Sequence, residues 1–338
     1  MAHYERHWAE EVILSKPTRL ASFLLTSLLC GLRLAAQQDT SPHKMQLVTV
    51  EPSVQLEVLD WGGQGSPLVF LGGTDAHVFD DFAPKFTKSH HVFGVSMQGF
   101  GKSSAPDPTP TNYTADHLAD GVLAVLSQLN VSRPVLVGHS LAGEELSSIG
   151  GRYPERVAGL IYLDGAYSYA FYSPSIGDIA IDAVDEQRQL DLFVSKGFQS
   201  ARQITELKIA AAQLERDLAR TEKTVSLQPP RPPDAPPVPP IGLALGRGRE
   251  KYTHIGVPVL AIYADPHSFG NLYKNEPDKL AALVADDHAN VSAQADAFQA
   301  AVPSAQVVRI ANADHFIFRS NQDEVLQAMN AFIARLPN

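Results

Sequence analysis

The sequence predicts an α/β fold: a mostly parallel sheet with helices on both faces and an inserted helical cap. Three observations carry this. Short, continuously apolar runs such as Leu68–Leu71 and Val157–Leu163 read as strands buried on both faces. Amphipathic helical stretches alternate with them, which points to parallel strands joined by helical crossovers. The alternation then stops between Asp164 and Val257, as expected where a separate segment is inserted into a sheet domain.

Taken in order, Gln46–Val50 and Val54–Asp60 show short β-type patterning, and Gly62-Gly63-Gln64-Gly65 makes a turn. Leu68–Leu71 and His91–Ser96 are the next strands. The spacing predicts a helix over Thr114–Leu129, capped by Thr114, with Leu118, Val122, Val125, Leu126 and Leu129 on one stripe. Pro134–Val137 is a strand and Ala142–Tyr153 a helix. Val157–Leu163, Val257–Tyr263 and Val307–Ile310 complete the strands. Asn321–Ala334 closes the chain as a helix, with Asn321 and Glu324 at capping-box spacing. Ile179–Lys223 reads as helical. Gln228–Pro240 holds eight prolines in thirteen residues, which excludes helix and central strand and fits a stiff extended connector. The expected organisation is a core of 37–170 and 246–338, with a cap at 171–245.

The chain of 338 residues carries 27 basic and 37 acidic side chains. Nucleic acid and anionic membrane surfaces both need clustered cations, so an acidic chain is a poor match for either. The single cysteine, Cys30, excludes an internal disulfide and a cysteine-based zinc site. Lys16 and Arg19 precede an apolar run from Leu20 to Leu29, with small residues at Ala35 and Ala36. That order describes a secretory signal peptide over 1–36. The run is too short for a membrane span of about 20 residues. The expected location is therefore secreted or periplasmic in a bacterium, with no stable membrane anchor after the signal is removed.

The chemistry centres on Val135–Gly143. A strand runs into a helix through a turn with Ser140 at its apex, written Gly138-His139-Ser140-Leu141-Ala142. Small residues either side let a sharp bend close while the hydroxyl stays exposed, and the following helix start favours developing negative charge. Ala142 stands where the usual pattern has glycine, and Gly143 follows.

With Leu71-Gly72-Gly73-Thr74, Gly99-Phe100-Gly101-Lys102-Ser103-Ser104 and Asp314-His315, this turn resembles the α/β-hydrolase family of the serine-nucleophile type. The likeness is greatest to secreted bacterial hydrolases whose turn continues as in Gly138–Glu145. The resemblance implies the α/β-hydrolase fold and a serine-hydrolase type of chemistry, and no particular substrate. The expected function is hydrolysis of small-molecule esters through an acyl-enzyme, with no cofactor or metal. Family members that open epoxides or remove halides carry Asp where Ser140 stands. A lyase or carbon–carbon bond hydrolase with the same groups, or a non-catalytic binding protein on this fold, are the alternatives.

The hydroxyl needs a base. His315 follows the last strand and fits that role. The acid that orients it is read first as Asp265, after Val257–Tyr263, with Asp164, after Val157–Leu163, as the alternative. The family's usual acid falls two or three residues past the strand's last small residue; here His267 occupies the later slot. Oxyanion donors are expected from the backbone of Leu141 and of Thr74 or Gly73. His139 reads as packing, and His77, His254 and His267 as candidate pocket residues. Glu144 and Glu145 read as solvated charges in a first helical turn. Tyr167, Tyr169, Phe171 and Tyr172 suit an apolar pocket roof. Gly101-Lys102-Ser103 lacks the upstream spacing of a phosphate loop.

Overall fold

A computed structural model of the chain describes residues 42–198 and 200–337. The segment read as a signal peptide, with Cys30, lies outside the described residues.

Eight strands form one sheet in the order β1-β2-β4-β3-β5-β6-β7-β8. They are β1 (Lys44–Glu51), β2 (Val54–Gly62), β3 (Ser66–Leu71), β4 (His90–Val95), β5 (Val135–His139), β6 (Gly159–Leu163), β7 (Val259–Ala264) and β8 (Ala305–Ile310). β2 runs antiparallel to β1 and β4; every pairing from β4 through β8 is parallel. The central strands are buried on both faces, which is why they read as unbroken apolar runs. Their period of two still sorts the side chains. Val69 and Leu71 enter one core with Leu118, Ile149 and Phe298, while Leu68 and Phe70 enter the other with Phe79, Phe318 and Met329.

The helices are α1 (Ala115–Gln128), α2 (Ala142–Arg152), α3 (Ile179–Lys196), α4 (Ala201–Ser226), α5 (Pro240–Arg247), α6 (Pro277–Ala301), α7 (Ile317–Ser320) and α8 (Gln322–Ile333). Thr114 caps α1 as expected, its hydroxyl accepting from the His117 N–H at 3.1 Å. Asn321 does not form the expected capping box; its amide donates to the Glu324 carboxylate instead. The helical stretch expected over Ile179–Lys223 is two helices. Gly197, at φ +68°, ends α3, and Ser200 with Gln203 forms a full capping box that starts α4. α6 has no counterpart in the sequence reading. It is rich in Ala and Asp with a weak apolar stripe, so it lacks the periodicity that marks the other helices. Among the described residues, no helix is long and apolar enough to cross a membrane.

The insertion between β6 and β7 carries α3, α4 and α5. It lies over the carboxyl ends of the central strands, where ligands bind in open α/β sheets. A cavity of about 1200 Å³ opens there. Leu141, Tyr167 and His315 line it from the core; Ile179, Val225 and Val238 line it from the insertion. The proline-rich connector is part of its wall, since Pro229, Pro232 and Pro239 also face it.

Candidate active site

Ser140 sits between β5 and α2 at φ +54°, a left-handed conformation that costs a side-chain-bearing residue about 1–3 kcal/mol. Close packing imposes it. A methyl on Gly138 would come within 2.8 Å of Leu146, and one on Gly143 would run into the Gly165 carbonyl. The Ser140 N–H donates to Leu163 O at 3.3 Å, tying the bend to the end of β6. These contacts explain the small residues around the serine, Ala142 included.

Asp164 is the next residue after β6, fully buried and itself at φ +46°. Its carboxylate accepts from four donors. Tyr167 Oη (2.5 Å) and the Ala264 N–H (3.0 Å) approach Oδ1; His267 Nε2 (2.8 Å) and His315 Nδ1 (2.7 Å) approach Oδ2. Burial opposes the charge, but His267 first and His315 after it overcome that and hold the carboxyl well below the usual carboxylate range. Because an ionised carboxylate only accepts, His315 Nδ1 carries the proton and Nε2 is left with its lone pair.

The two candidate acids have different partners. Asp265 is buried, but its oxygens are bonded to His288 Nδ1 (2.6 Å) and Ser292 Oγ (2.7 Å), both on α6. The β7 end is turned so that Asp265 faces α6 and Arg309 of β8, while Asp164 reaches the His315 ring. Asp164, the alternative in the sequence, is the carboxylate beside His315.

His139 packs as expected, with a further part. Its Nε2 lies 3.0 Å from the His315 carbonyl oxygen, and the two rings are 4.5 Å apart. Burial first, and the neighbouring His315 second, hold its ring down to about 3. The ring is therefore neutral, donates Nε2–H to the carbonyl, and fixes the loop that carries His315.

On the other side of the bend, the loop after β3 separates the two expected donors. The Thr74 N–H is spent on Gly72 O, and Thr74 O accepts from Met97 N–H at 2.8 Å, so Thr74 is tied into its own turn. Gly73, at φ +49°, lies directly against the serine bend: a methyl there would sit 2.5 Å from His139 O and 3.4 Å from Ser140 Cβ. Leu141 N lies 3.3 Å from that same point, at the N-cap of α2, where N–H groups have no intrahelical acceptor.

Glu144 and Glu145 are not solvated: they are 5% and 3% exposed and line the cavity. Burial is the first cause of a rise to about 7 for Glu144 and about 8 for Glu145. Arg249 meets Glu144 at 3.1 Å and Asp178 at 3.6 Å, joining core and insertion at the cavity wall. Of the aromatic run, Tyr167 and Tyr169 line the cavity, whereas Phe171 packs on Phe298 and Tyr172 donates to Asp182.

Of the candidate pocket histidines, only His267 reaches the cavity. His254 is exposed. His77 joins His43 and Asp80 in a separate group whose donor atoms lie within 4.8 Å of one another, a set that could hold a cation. Nothing in the sequence pairs His267 with Asp164; the one signal is the position of His267 in the slot that the resembling family gives to its acid.

A family model described as alpha/beta hydrolase fold matches residues 67–321. A 2-hydroxymuconate semialdehyde hydrolase of Pseudomonas sp. (strain CF600) is 31% identical over 109 residues, 31% of this chain and 38% of that protein. A bifunctional esterase/perhydrolase of Acinetobacter calcoaceticus is 30% identical over 114 residues, 32% of this chain and 40% of that protein. The chain spans between 31 and 41% of the length of the curated relatives first matched. The crystal structure of an epoxide hydrolase from Bacillus megaterium aligns with a TM-score of 0.55 at 19% identity, over 86% of this chain and 100% of that one, a likeness of fold alone. With the family model matched across three quarters of its length, this chain belongs to the α/β-hydrolase fold family.

Proposed function

We propose that the chain is a serine hydrolase cleaving small-molecule esters, with Ser140 as nucleophile, His315 as base and Asp164 as the acid that orients it. The observation that carries this reading is the 2.7 Å contact between His315 Nδ1 and Asp164 Oδ2. It fixes the tautomer in which Nε2 carries the lone pair that accepts a proton. In the first step Ser140 Oγ bonds to the acyl carbon and its proton passes to His315 Nε2. The oxyanion is met by the N–H groups of Leu141 and Gly73. Collapse breaks the carbon–oxygen bond of the ester, and the leaving alcohol takes the proton from His315. Water then attacks the acyl-enzyme, gives its proton to His315, and frees the acid and Ser140.

The largely apolar cavity supports an ester with an apolar acyl or alcohol part. The serine itself argues against epoxide opening through a carboxylate nucleophile. A second reading, scission of a carbon–carbon bond by the same groups, is kept because of the similarity to the semialdehyde hydrolase, whose named substrate is not an ester. A fluorophosphonate probe should label Ser140 and fail to label His315→Ala. Absence of labelling in the unaltered protein overturns both readings. Turnover of p-nitrophenyl acetate selects the ester reading; turnover of only a vinylogous diketone selects the second.

A further inference from the structure

The cluster around Asp164 has a member that the three-residue scheme does not use. His267, on the loop after β7, offers both ring nitrogens to carboxylates. Nε2 lies 2.8 Å from Asp164 Oδ2, and Nδ1 lies 3.1 Å from each oxygen of Asp287 on α6. The His267 backbone N–H adds a third contact to Asp287 at 2.7 Å. Tyr167 stacks beside the ring, which is 12% exposed at the side chain.

An ionised carboxylate has no hydrogen to give. A ring with a carboxylate at each nitrogen is satisfied only when both nitrogens carry hydrogen, and such a ring is a cation. Burial opposes that charge, but Asp164 and then Asp287 outweigh it and raise the group to about 10.

The consequence falls on His315, whose Nδ1 shares Asp164 Oδ2 with His267. In a plain serine–histidine–aspartate arrangement the carboxylate stabilises the imidazolium that forms during catalysis. Here one cation already leans on that carboxylate. A second positive charge on His315 meets repulsion from His267 across a shared oxygen. We infer that His267, held as an imidazolium between Asp164 and Asp287, is a positioning residue that offsets the charge of Asp164 and so weakens the hold of that carboxylate on a positive charge at His315. This role rests on the serine hydrolase reading above.

The other groups facing the pair do not cancel the effect. Tyr167 is a neutral donor to Asp164, and His139, against the His315 ring, is neutral. Arg319, on α7, adds positive charge near His139 and acts in the same direction as His267. Asp287 is the counter-charge that keeps His267 protonated, which makes it the second handle on the effect.

The test compares pH profiles of kcat/KM for the full chain, His267→Asn and Asp287→Asn on p-nitrophenyl acetate. The acidic limb reports the free-enzyme base. Loss of the cation should move that limb upward by about one pH unit, the scale expected for one charge several ångströms away in a partly screened site. Asp287→Asn should move it in the same direction by less. A purely structural role would lower kcat and leave the limb in place, and that result overturns the inference. Ring nitrogen-15 NMR of the unaltered protein at pH 8 gives a readout that does not need activity. His267 should show two protonated nitrogens; one bare nitrogen refutes the proposal even if a variant fails to fold. Ser140 labelling separates the two levels: a labelled enzyme with an unmoved limb sinks only the role of His267, and an unlabelled one removes the parent reading and this role together.

Discussion

His315 Nδ1 is bonded to Asp164 Oδ2 at 2.7 Å, across 151 positions of sequence, while Asp265, two positions before His267, is turned to α6. Two carboxylates thus lie at the ends of adjacent strands, both buried, and only one touches the histidine ring. If Asp164 holds that ring for catalysis, Asp164→Asn should lower kcat by roughly 10⁴, because an amide can present its N–H to Nδ1 and favour the wrong tautomer. Asp265→Asn should leave kcat nearly unchanged and act on stability through His288 and Ser292. Steady-state kinetics of the two variants decide it, and an inert Asp164→Asn would remove Asp164 from the scheme.

Gly73 and Thr74 should part in the same way. Gly73→Ala puts a methyl 2.5 Å from His139 O at a backbone angle that disfavours any side chain, so the loop must move off the serine bend. If the Gly73 N–H meets the oxyanion, kcat should fall by about 10²–10³. Thr74→Ala should change little, because the Thr74 N–H is committed to Gly72 O and survives the substitution. A kcat drop in Thr74→Ala comparable with that in Gly73→Ala would show that the Thr74 side chain has a part of its own.

These contrasts mark how far the sequence could be read. The strands were legible because Leu68–Leu71 and Val259–Ala264 are buried on both faces and show it as unbroken apolar runs. The serine bend was legible because steric demand confines Gly138, Ala142 and Gly143 to small residues. The choice between Asp164 and Asp265 was not, since both follow buried strands and differ only in the direction the chain turns afterwards. The burial of Glu144 was hidden for a related reason: Arg249, 105 positions away, covers it. α6 escaped because its few buried apolar residues, Leu283, Val291, Ala295 and Phe298, are interspersed with buried Asp286 and Gln294 and leave only a weak apolar period.

Arg249 ties the insertion to the core, and its removal should show how much. Arg249→Met leaves Glu144 and the fully buried Asp178 without their shared cation. Breaking a buried pair from one side costs about 3–5 kcal/mol. The lower end is expected, because Glu144, already pushed up to about 7 by burial, can take a proton and Asp178 keeps its bonds to the start of α3. Adding Glu144→Gln should return part of the loss in a double-mutant cycle read by urea unfolding. Strictly additive losses would show that the two side chains do not interact.

Glu145 makes the stability of the protein depend on pH in a stated direction. Burial first, and the Glu144 carboxylate second, raise its carboxyl from 4.5 to about 8. A folded state that holds a proton more tightly than the unfolded chain loses stability as pH rises between those two values. Below about pH 4.5 both states carry the proton and Glu145 adds no pH-dependent penalty. Above about pH 8 the folded protein must bury the charge, and the penalty is complete, on the order of a few kcal/mol. Glutamine has the shape of the protonated acid and never ionises. Glu145→Gln should therefore match the unaltered protein near pH 4.5 and become progressively more stable than it up to about pH 8. Urea midpoints across that range measure the divergence. Two curves that stay parallel would mean that the carboxyl is ionised in the folded protein at neutral pH, held by a partner or by water reaching it through the cavity.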